Sequence, residues 1–260
     1  MRLQDCNPAM PAFKVTLAYD GTDYVGWQRQ AKGVSIQGLL EDALKDLDGG
    51  DVAVAGAGRT DAGVHALGQV ATFSIERDLD GATLVRALNV RLPPAVRLLA
   101  AEHAAEGFHA RFSAKSKTYR YRIWNHDVLS PFERRYAWYV PMPLDVSRMA
   151  RAARGLEGRH DFASFQGTGA TAATTDRVVF SSSVRMDGGA VVYEIAGDGF
   201  LRHMVRAIVG SLVDIGRGHQ PAEWMAEVLA SRNRTRAGQT APAAGLFLVG
   251  VEYDSLAANR

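Results

Sequence analysis

Alternating apolar and polar positions predict β-strands in both halves of this chain. The first alternating run lies at residues 13–19, and a short apolar run at 51–56 precedes a third at 69–75. Side chains two residues apart along a strand share a face, so alternation indicates a sheet with one buried face. Further strands are predicted at residues 96–101, 115–124, 178–186, 190–196 and 246–253. The pattern therefore predicts a protein built on β-sheet from beginning to end.

Helical periodicity occupies the intervals between these strands. Ser35 precedes a run whose apolar residues share one helical face, and Gly49 follows it, so an N-cap and a stop signal bound the helix. A second helix is predicted from Asp80 to Arg91, where prolines end it. Three more are predicted at residues 145–156, 201–215 and 221–229.

The order of these elements predicts an α+β fold of two ferredoxin-like (RRM-like) units with antiparallel sheets joined side by side. The first half follows the order strand, helix, strand, strand, helix, strand, which is the split β-α-β arrangement. We expect an N-terminal unit at residues 13–107 and a C-terminal unit with insertions at 108–254, flanked by loose tails at 1–12 and 255–260. Such sheets leave one face free, as in a common RNA-binding module.

Composition narrows the function classes only slightly. Thirty basic and 28 acidic residues give a net charge of +2, too weak a balance to indicate a nucleic-acid partner. The single cysteine, Cys6, excludes an internal disulfide or a cysteine-ligated metal and suits a reducing compartment. We find no membrane-length apolar run and no secretion signal, so we expect a cytoplasmic protein. The seven histidines show no metal-ligand spacing, and no phosphate-binding glycine loop occurs, so no metal or nucleotide cofactor is implied.

The run Gly58–Phe73 is the strongest candidate for chemistry. It places Arg59 and Asp61 among glycines between two predicted strands, in a tight turn of the kind that displays functional side chains on a rigid scaffold. The alternative is that both residues only cap a turn, since aspartate is common there. These residues alone do not decide between the two interpretations.

Three other places carry candidate chemistry. The basic and aromatic strand around Tyr119 has no face that resembles a plain core; it is either a solvated edge strand or a surface for nucleic acid. Arg206 lies off the apolar stripe of its helix, where it is a surface guanidinium or the partner of a pocket carboxylate. Leu246 begins the last predicted strand, and from the local pattern alone we expect it to be a core residue.

The run Gly58–His65 resembles, residue for residue, the signature of the TruA-type tRNA pseudouridine synthases. The loop ending in Gly26-Trp27-Gln28 and the segments 115–122, 200–210 and 241–248 resemble other motifs of that family, in the same order. The resemblance extends over about residues 13–254. The loop at 167–176 is small and polar and departs from the family pattern.

The resemblance implies a role for each candidate residue. Asp61 is implied to be the catalytic carboxylate and Arg206 its ion-pair partner. Tyr119 is implied to stack on the target base, Arg59 to occupy the space that the base vacates, and Leu246 to line the uracil pocket. These groups would meet in a cleft between the two units.

The resemblance also implies a substrate and partners. It implies a homodimeric isomerase, without a cofactor, that forms pseudouridine at positions 38, 39 and 40 in the anticodon arm of tRNA. A non-catalytic RNA-binding protein of two sheet modules is the alternative, but it leaves Arg59 and Asp61 unused. A hydrolase of glycosidic bonds ranks last, because such enzymes usually need a second carboxylate about 5–10 Å from the first.

Overall fold

The computed structural model describes residues 11–169 and 173–254, which form ten strands and five α-helices. The predicted terminal tails lie almost wholly outside these ranges. The strands are β1 (Ala12–Tyr19), β2 (Ala55–Gly56), β3 (His65–Ser74), β4 (Val96–His103), β5 (Ala114–Trp124), β6 (Trp138–Tyr139), β7 (Gly158–Asp161), β8 (Asp176–Asp187), β9 (Ala190–Gly197) and β10 (Leu246–Tyr253). The helices are α1 (Ile36–Asp48), α2 (Gly81–Arg91), α3 (Val146–Arg154), α4 (Met204–Gly216) and α5 (Trp224–Ser231).

All ten strands belong to one sheet, so the predicted α+β class is confirmed. The strand order is β4-β1-β3-β10-β5-β9-β8-β7, with β2 paired to β3 and β6 to β5. Neighbours along this path are antiparallel except β10 and β3, which run parallel with Phe247 opposite His65. This one parallel pairing joins the strands of the first half to those of the second. The division into two ferredoxin-like units stays a prediction.

Side-chain caps stabilise the starts of α1 and α2. The Ser35 hydroxyl accepts a hydrogen bond from the Gly38 amide at 3.1 Å, and the Asp80 carboxylate accepts one from Thr83 at 2.9 Å. Each bond satisfies an amide that the first helical turn leaves without a partner. The predicted starts of α1 and α2 are thus confirmed to within one residue.

The third strand begins earlier than its alternation predicts. It starts at His65 rather than Gln69, so the loop of the candidate motif is limited to residues 57–64. A Cβ on Gly68 would lie 2.7 Å from the Val249 carbonyl oxygen, so β10 can approach β3 only beside a glycine. The predicted strand at 51–56 is correspondingly short and retains two residues, Ala55 and Gly56.

The interpretation of β5 as a solvated edge strand is wrong. It lies inside the sheet between β10 and β9, and both Tyr119 and Tyr121 belong to the hydrophobic core. Local alternation does not show whether a strand has neighbours on both sides, so the sequence left this alternative open. Of the helices in the described ranges, none combines the length and apolar composition that crossing a bilayer requires.

Candidate active site

Hydrogen bonds to neighbouring segments fix the backbone of the loop at residues 57–64. The Thr60 carbonyl accepts from the Trp27 amide at 3.0 Å, and its hydroxyl shares a hydrogen bond of 2.8 Å with Tyr19. On the other side of Arg59, the Gly58 carbonyl accepts from the Gln69 side chain at 2.9 Å. The residues on both sides of Arg59 are thus fixed by hydrogen bonds, and the Arg59 side chain itself is exposed.

Glycine in the preceding loop lets the chain pack against this turn. Gly26 has a φ of +101°, and a Cβ there would lie 2.5 Å from the Thr60 carbonyl oxygen. Both the backbone angle and the close approach exclude other residues. The loop that ends in Gly26-Trp27-Gln28 thus supports the turn that carries Asp61.

Asp61 and Arg206 meet across the junction of the two halves of the chain. Nη1 of Arg206 donates to Oδ2 of Asp61 at 3.0 Å, while its Nε donates to the Ala241 carbonyl at 2.7 Å. The Ala241 amide in turn donates to the Arg206 carbonyl at 3.0 Å. The guanidinium is thereby held between the carboxylate and a backbone loop. The Asp61 side chain remains 30% exposed, which leaves it open to a ligand.

His203 is a second basic group at Asp61, which the sequence analysis missed. Its Nε2 lies 3.4 Å from Oδ2 of Asp61, although the N–H is not aligned as a hydrogen bond. Burial lowers the pKa of His203, and the Asp61 charge opposes this shift. The sequence held a partial signal: His203 falls within the helix predicted at residues 201–215, three residues before Arg206, a spacing at which helical side chains are neighbours. The helix itself begins only at Met204, so this spacing does not describe the observed contact.

Tyr119 is beside this group but is largely covered. It exposes 7% of its surface, and the Phe200 ring packs edge-on against it at 5.0 Å between centroids. Burial raises the pKa of Tyr119 far above its ordinary value, and the nearby Asp61 charge adds to the shift. The phenol therefore stays protonated at neutral pH and offers a ring face and a hydroxyl rather than a base.

Leu246 is buried at the start of β10. It exposes 6% of its surface, and β10 pairs it with Tyr121, whereas Leu248 pairs with Tyr119. The structure thus brings Asp61, Arg206 and Tyr119 together and places Leu246 two residues before Leu248, the residue of β10 that pairs with Tyr119.

A neutral histidine joins three loops behind the site. Nδ1 of His65 lies 3.1 Å from Oδ1 of Asp20 and accepts from the Gly21 amide, also at 3.1 Å. Since an amide N–H can only donate, this hydrogen bond assigns the ring proton to Nε2. That nitrogen lies 3.0 Å from the Arg135 carbonyl and 3.1 Å from the Ala244 carbonyl. Burial lowers the pKa of His65, which favours this uncharged form. The segment that Arg206 contacts through Ala241 is thereby anchored to the first half of the chain.

Basic side chains gather on the other side of the turn. Burial lowers the pKa of Lys117, and the positive charges of Arg111 and Arg177 lower it further, against the effect of Asp198. A Cβ on Gly58 would lie 3.6 Å from Cε of Lys117, which places the end of this side chain next to the motif. We call Lys117, Arg111 and Arg177 the basic cluster. Its positive charge suits a phosphate backbone.

Within residues 11–169 and 173–254, no three or more His, Cys, Asp or Glu side chains form a group that could bind an ion. The ionisable groups found around Asp61 are basic instead.

Comparison with known proteins places this chain in a family. A family model described as tRNA pseudouridine synthase matches residues 16–113 and 152–254. The tRNA pseudouridine synthase A of Solibacter usitatus is 47% identical over 249 residues, which cover 94% of this chain and 100% of that protein. The proteins of the same name from Moorella thermoacetica and Myxococcus xanthus are 48% and 49% identical, over 94% of this chain and 100% and 92% of their own lengths.

Proposed function

Because this chain belongs to the tRNA pseudouridine synthases, which are isomerases, we propose that it acts on the anticodon arm of tRNA with Asp61 as its catalytic carboxylate. The target uridines are those at positions 38, 39 and 40. The observation that carries the proposal is the ion pair of 3.0 Å between Asp61 and Arg206, which leaves the carboxylate partly exposed.

The reaction needs one carboxylate and no redox partner. The bond from uracil N1 to ribose C1′ breaks, and a bond from C5 to C1′ forms. C5 loses its proton and N1 gains one, so the product is an isomer of the substrate. An ionised Asp61 can start this sequence by attacking C1′ or by removing the proton on C2′. Both routes require the carboxylate to face the ribose.

The target uridine must leave its base stack before it reaches Asp61, which costs a few kcal/mol. Arg59 is exposed on the pinned loop next to Asp61 and fills the vacated space in the RNA. Tyr119 covers the everted ring, an interaction of about 1–3 kcal/mol. Since Tyr119 is largely buried, Phe200 shifts to admit the base. Leu246 contributes to the apolar wall of the uracil pocket.

The basic cluster holds the RNA backbone beside the turn. Lys117 is next to Gly58, so a phosphate bound there lies close to the nucleoside that Asp61 receives. Phe112 is 77% exposed, and the Arg111 guanidinium lies over its ring at 5.7 Å. An exposed ring beside positive charge is a surface on which an unpaired base stacks.

Release of tritium from C5-labelled uridine tests this function directly. We expect a tRNA transcript labelled in this way to lose tritium to water, because pseudouridine formation removes the C5 hydrogen. Replacing the uridines at positions 38–40 by cytidine should reduce the release to background. Replacing a uridine in the acceptor stem serves as the matched control and should leave the release unchanged.

Each other outcome of this assay has a distinct meaning. Release that persists without uridines at 38–40 contradicts the anticodon-arm assignment. No release from any tRNA, with binding intact, would favour the non-catalytic RNA-binding alternative. Free uracil in place of pseudouridine would indicate a hydrolase.

Substitution of Tyr119 separates its ring from its hydroxyl. We expect Tyr119→Phe to keep the rate within about threefold, and Tyr119→Leu to lower kcat/KM by about tenfold to hundredfold, which corresponds to the stacking energy. Leucine fills most of the same core volume, so a thermal unfolding midpoint close to that of the Phe variant excludes a packing defect. Equal losses in the two variants would assign the role to the hydroxyl.

A further inference from the structure

We propose that His203 is a positioning residue for Asp61. Its imidazole and the Arg206 guanidinium both bear on Oδ2, so that Oδ1 is the oxygen that faces the nucleoside. In the described ranges, 11–169 and 173–254, we find no side-chain hydrogen bond to Oδ1. This inference rests on the proposed role of Asp61 as the catalytic carboxylate.

The backbone of His203 adopts a left-handed conformation that residues other than glycine disfavour, so the surrounding structure must maintain it. Its φ of 61° and ψ of 1° are left-handed, a conformation that another non-glycine residue, Arg232, also adopts. The sequence predicts a helix from Leu201, but α4 begins at Met204 because His203 interrupts it. The imidazole makes no capping hydrogen bond with the helix and lies against Asp61 instead. Strain of this kind persists where surrounding structure imposes it, and it clusters at functional sites.

The opposite edge of the ring is packed against a glycine. A Cβ on Gly167 would lie 2.5 Å from Nδ1 of His203, so only glycine leaves room for the imidazole. The Gly167 amide donates to the Arg202 carbonyl at 2.8 Å, and the Arg202 side chain donates to the Thr168 carbonyl at 3.2 Å. The ring therefore lies between this segment and the carboxylate, with 26% of the side chain exposed.

The charge state of His203 suits a hydrogen-bond donor better than a second cation. Burial lowers its pKa, against the effect of the Asp61 charge, and so favours the uncharged ring, which can donate through Nε2 without cancelling the charge of the carboxylate. Catalytic hydrogen bonds are often poorly aligned before the substrate binds and tighten in the complex. The charged groups that act on this ring are Asp61, Arg206, Arg202 and Arg234.

The test compares three variants of this position with a remote control. We expect His203→Leu to lower kcat by about tenfold to hundredfold, the effect of a misplaced reacting group, with KM for tRNA within about twofold. His203→Gln carries an amide nitrogen near the position of Nε2 and should restore kcat to within about threefold of the parent protein. His219→Leu removes a histidine that lies 3.9 Å from Asp214, and it should leave both constants unchanged.

A third variant separates positioning from folding. His203→Gly relieves the left-handed strain, so its thermal unfolding midpoint should equal or exceed that of the parent protein while kcat falls as in the Leu variant. Full kcat in the Gly or Leu variant would overturn the inference, as would a Gln variant no better than Leu. Asp61→Asn is assayed alongside: if it is inactive while His203→Leu is fully active, only the positioning role fails. If Asp61→Asn is active, the proposed function of Asp61 fails first.

Discussion

Asp61→Asn is expected to lower the rate of pseudouridine formation by about four orders of magnitude or more, as removal of an essential nucleophile or base does in other enzymes. Asparagine keeps the size of the side chain and an oxygen that can accept the hydrogen bond of Arg206. It lacks the charge that attack on C1′ or proton removal from C2′ requires. Single-turnover tritium release measures the rate, and filter binding should show an affinity for tRNA within about threefold of the parent protein.

The matched control for this variant is Asp214→Asn. It makes the same change of charge at a partly buried aspartate on α4 that pairs with His219 rather than with Arg206. We expect it to keep the parent rate, so a loss confined to Asp61→Asn reports chemistry at Asp61. An Asp61→Asn protein that retains a tenth or so of the parent activity would show that another group carries the reaction.

Arg206→Lys is expected to lower kcat/KM by about a hundredfold even though it preserves the charge. The guanidinium joins Oδ2 of Asp61 at 3.0 Å to the Ala241 carbonyl at 2.7 Å, and two of its nitrogens are needed to span them. A lysine ammonium is a single point charge and cannot reproduce a planar fork, so one of the two contacts is lost. Removing one preorganised donor from an active site typically costs about a hundredfold to a thousandfold, which sets this magnitude.

The control for Arg206→Lys is Arg148→Lys on α3. Arg148 is half exposed and pairs with Asp145 at 3.1 Å, so the same replacement there should not affect the rate. The two variants are compared by single-turnover assay and by thermal unfolding. A parent-like rate for Arg206→Lys would mean that charge alone suffices and that the bridge to Ala241 has no part in catalysis.

The sequence predicted the local elements and the identity of the central groups. Ser35 identified the start of α1, because a side chain that caps a helix acts within three residues of chain. The match of Gly58–His65 to a family signature identified Asp61, and the match around Arg206 implied their pairing. That pairing came from resemblance rather than from spacing, since 145 residues separate the two side chains.

Other features depend on contacts that no local pattern contains. The basic, aromatic pattern of β5 did not indicate that Tyr119 is buried, because its burial depends on β9 and β10 as neighbours. Helical periodicity continued through His203, and only the fold shows the left-handed turn that carries its ring to Asp61. The spacing of His203 from Arg206 indicated that the two side chains could be neighbours, but it did not indicate that His203 lies beside the Asp61 carboxylate.

Periodicity, capping residues and the motif at Gly58–His65 determined the helices and every described strand except β6 and β7. They also determined the family that the chain resembles and the carboxylate on which its proposed chemistry depends. The tertiary structure decided that β10 returns to pair in parallel with β3, and this pairing brings Arg206, Ala241 and His203 to the turn that carries Asp61. The division has a physical reason. Hydrogen bonds and apolar periodicity within a helix or strand act over a few residues of chain. The candidate site, in contrast, combines side chains from the two halves of the chain, and their distance depends on how the whole sheet packs.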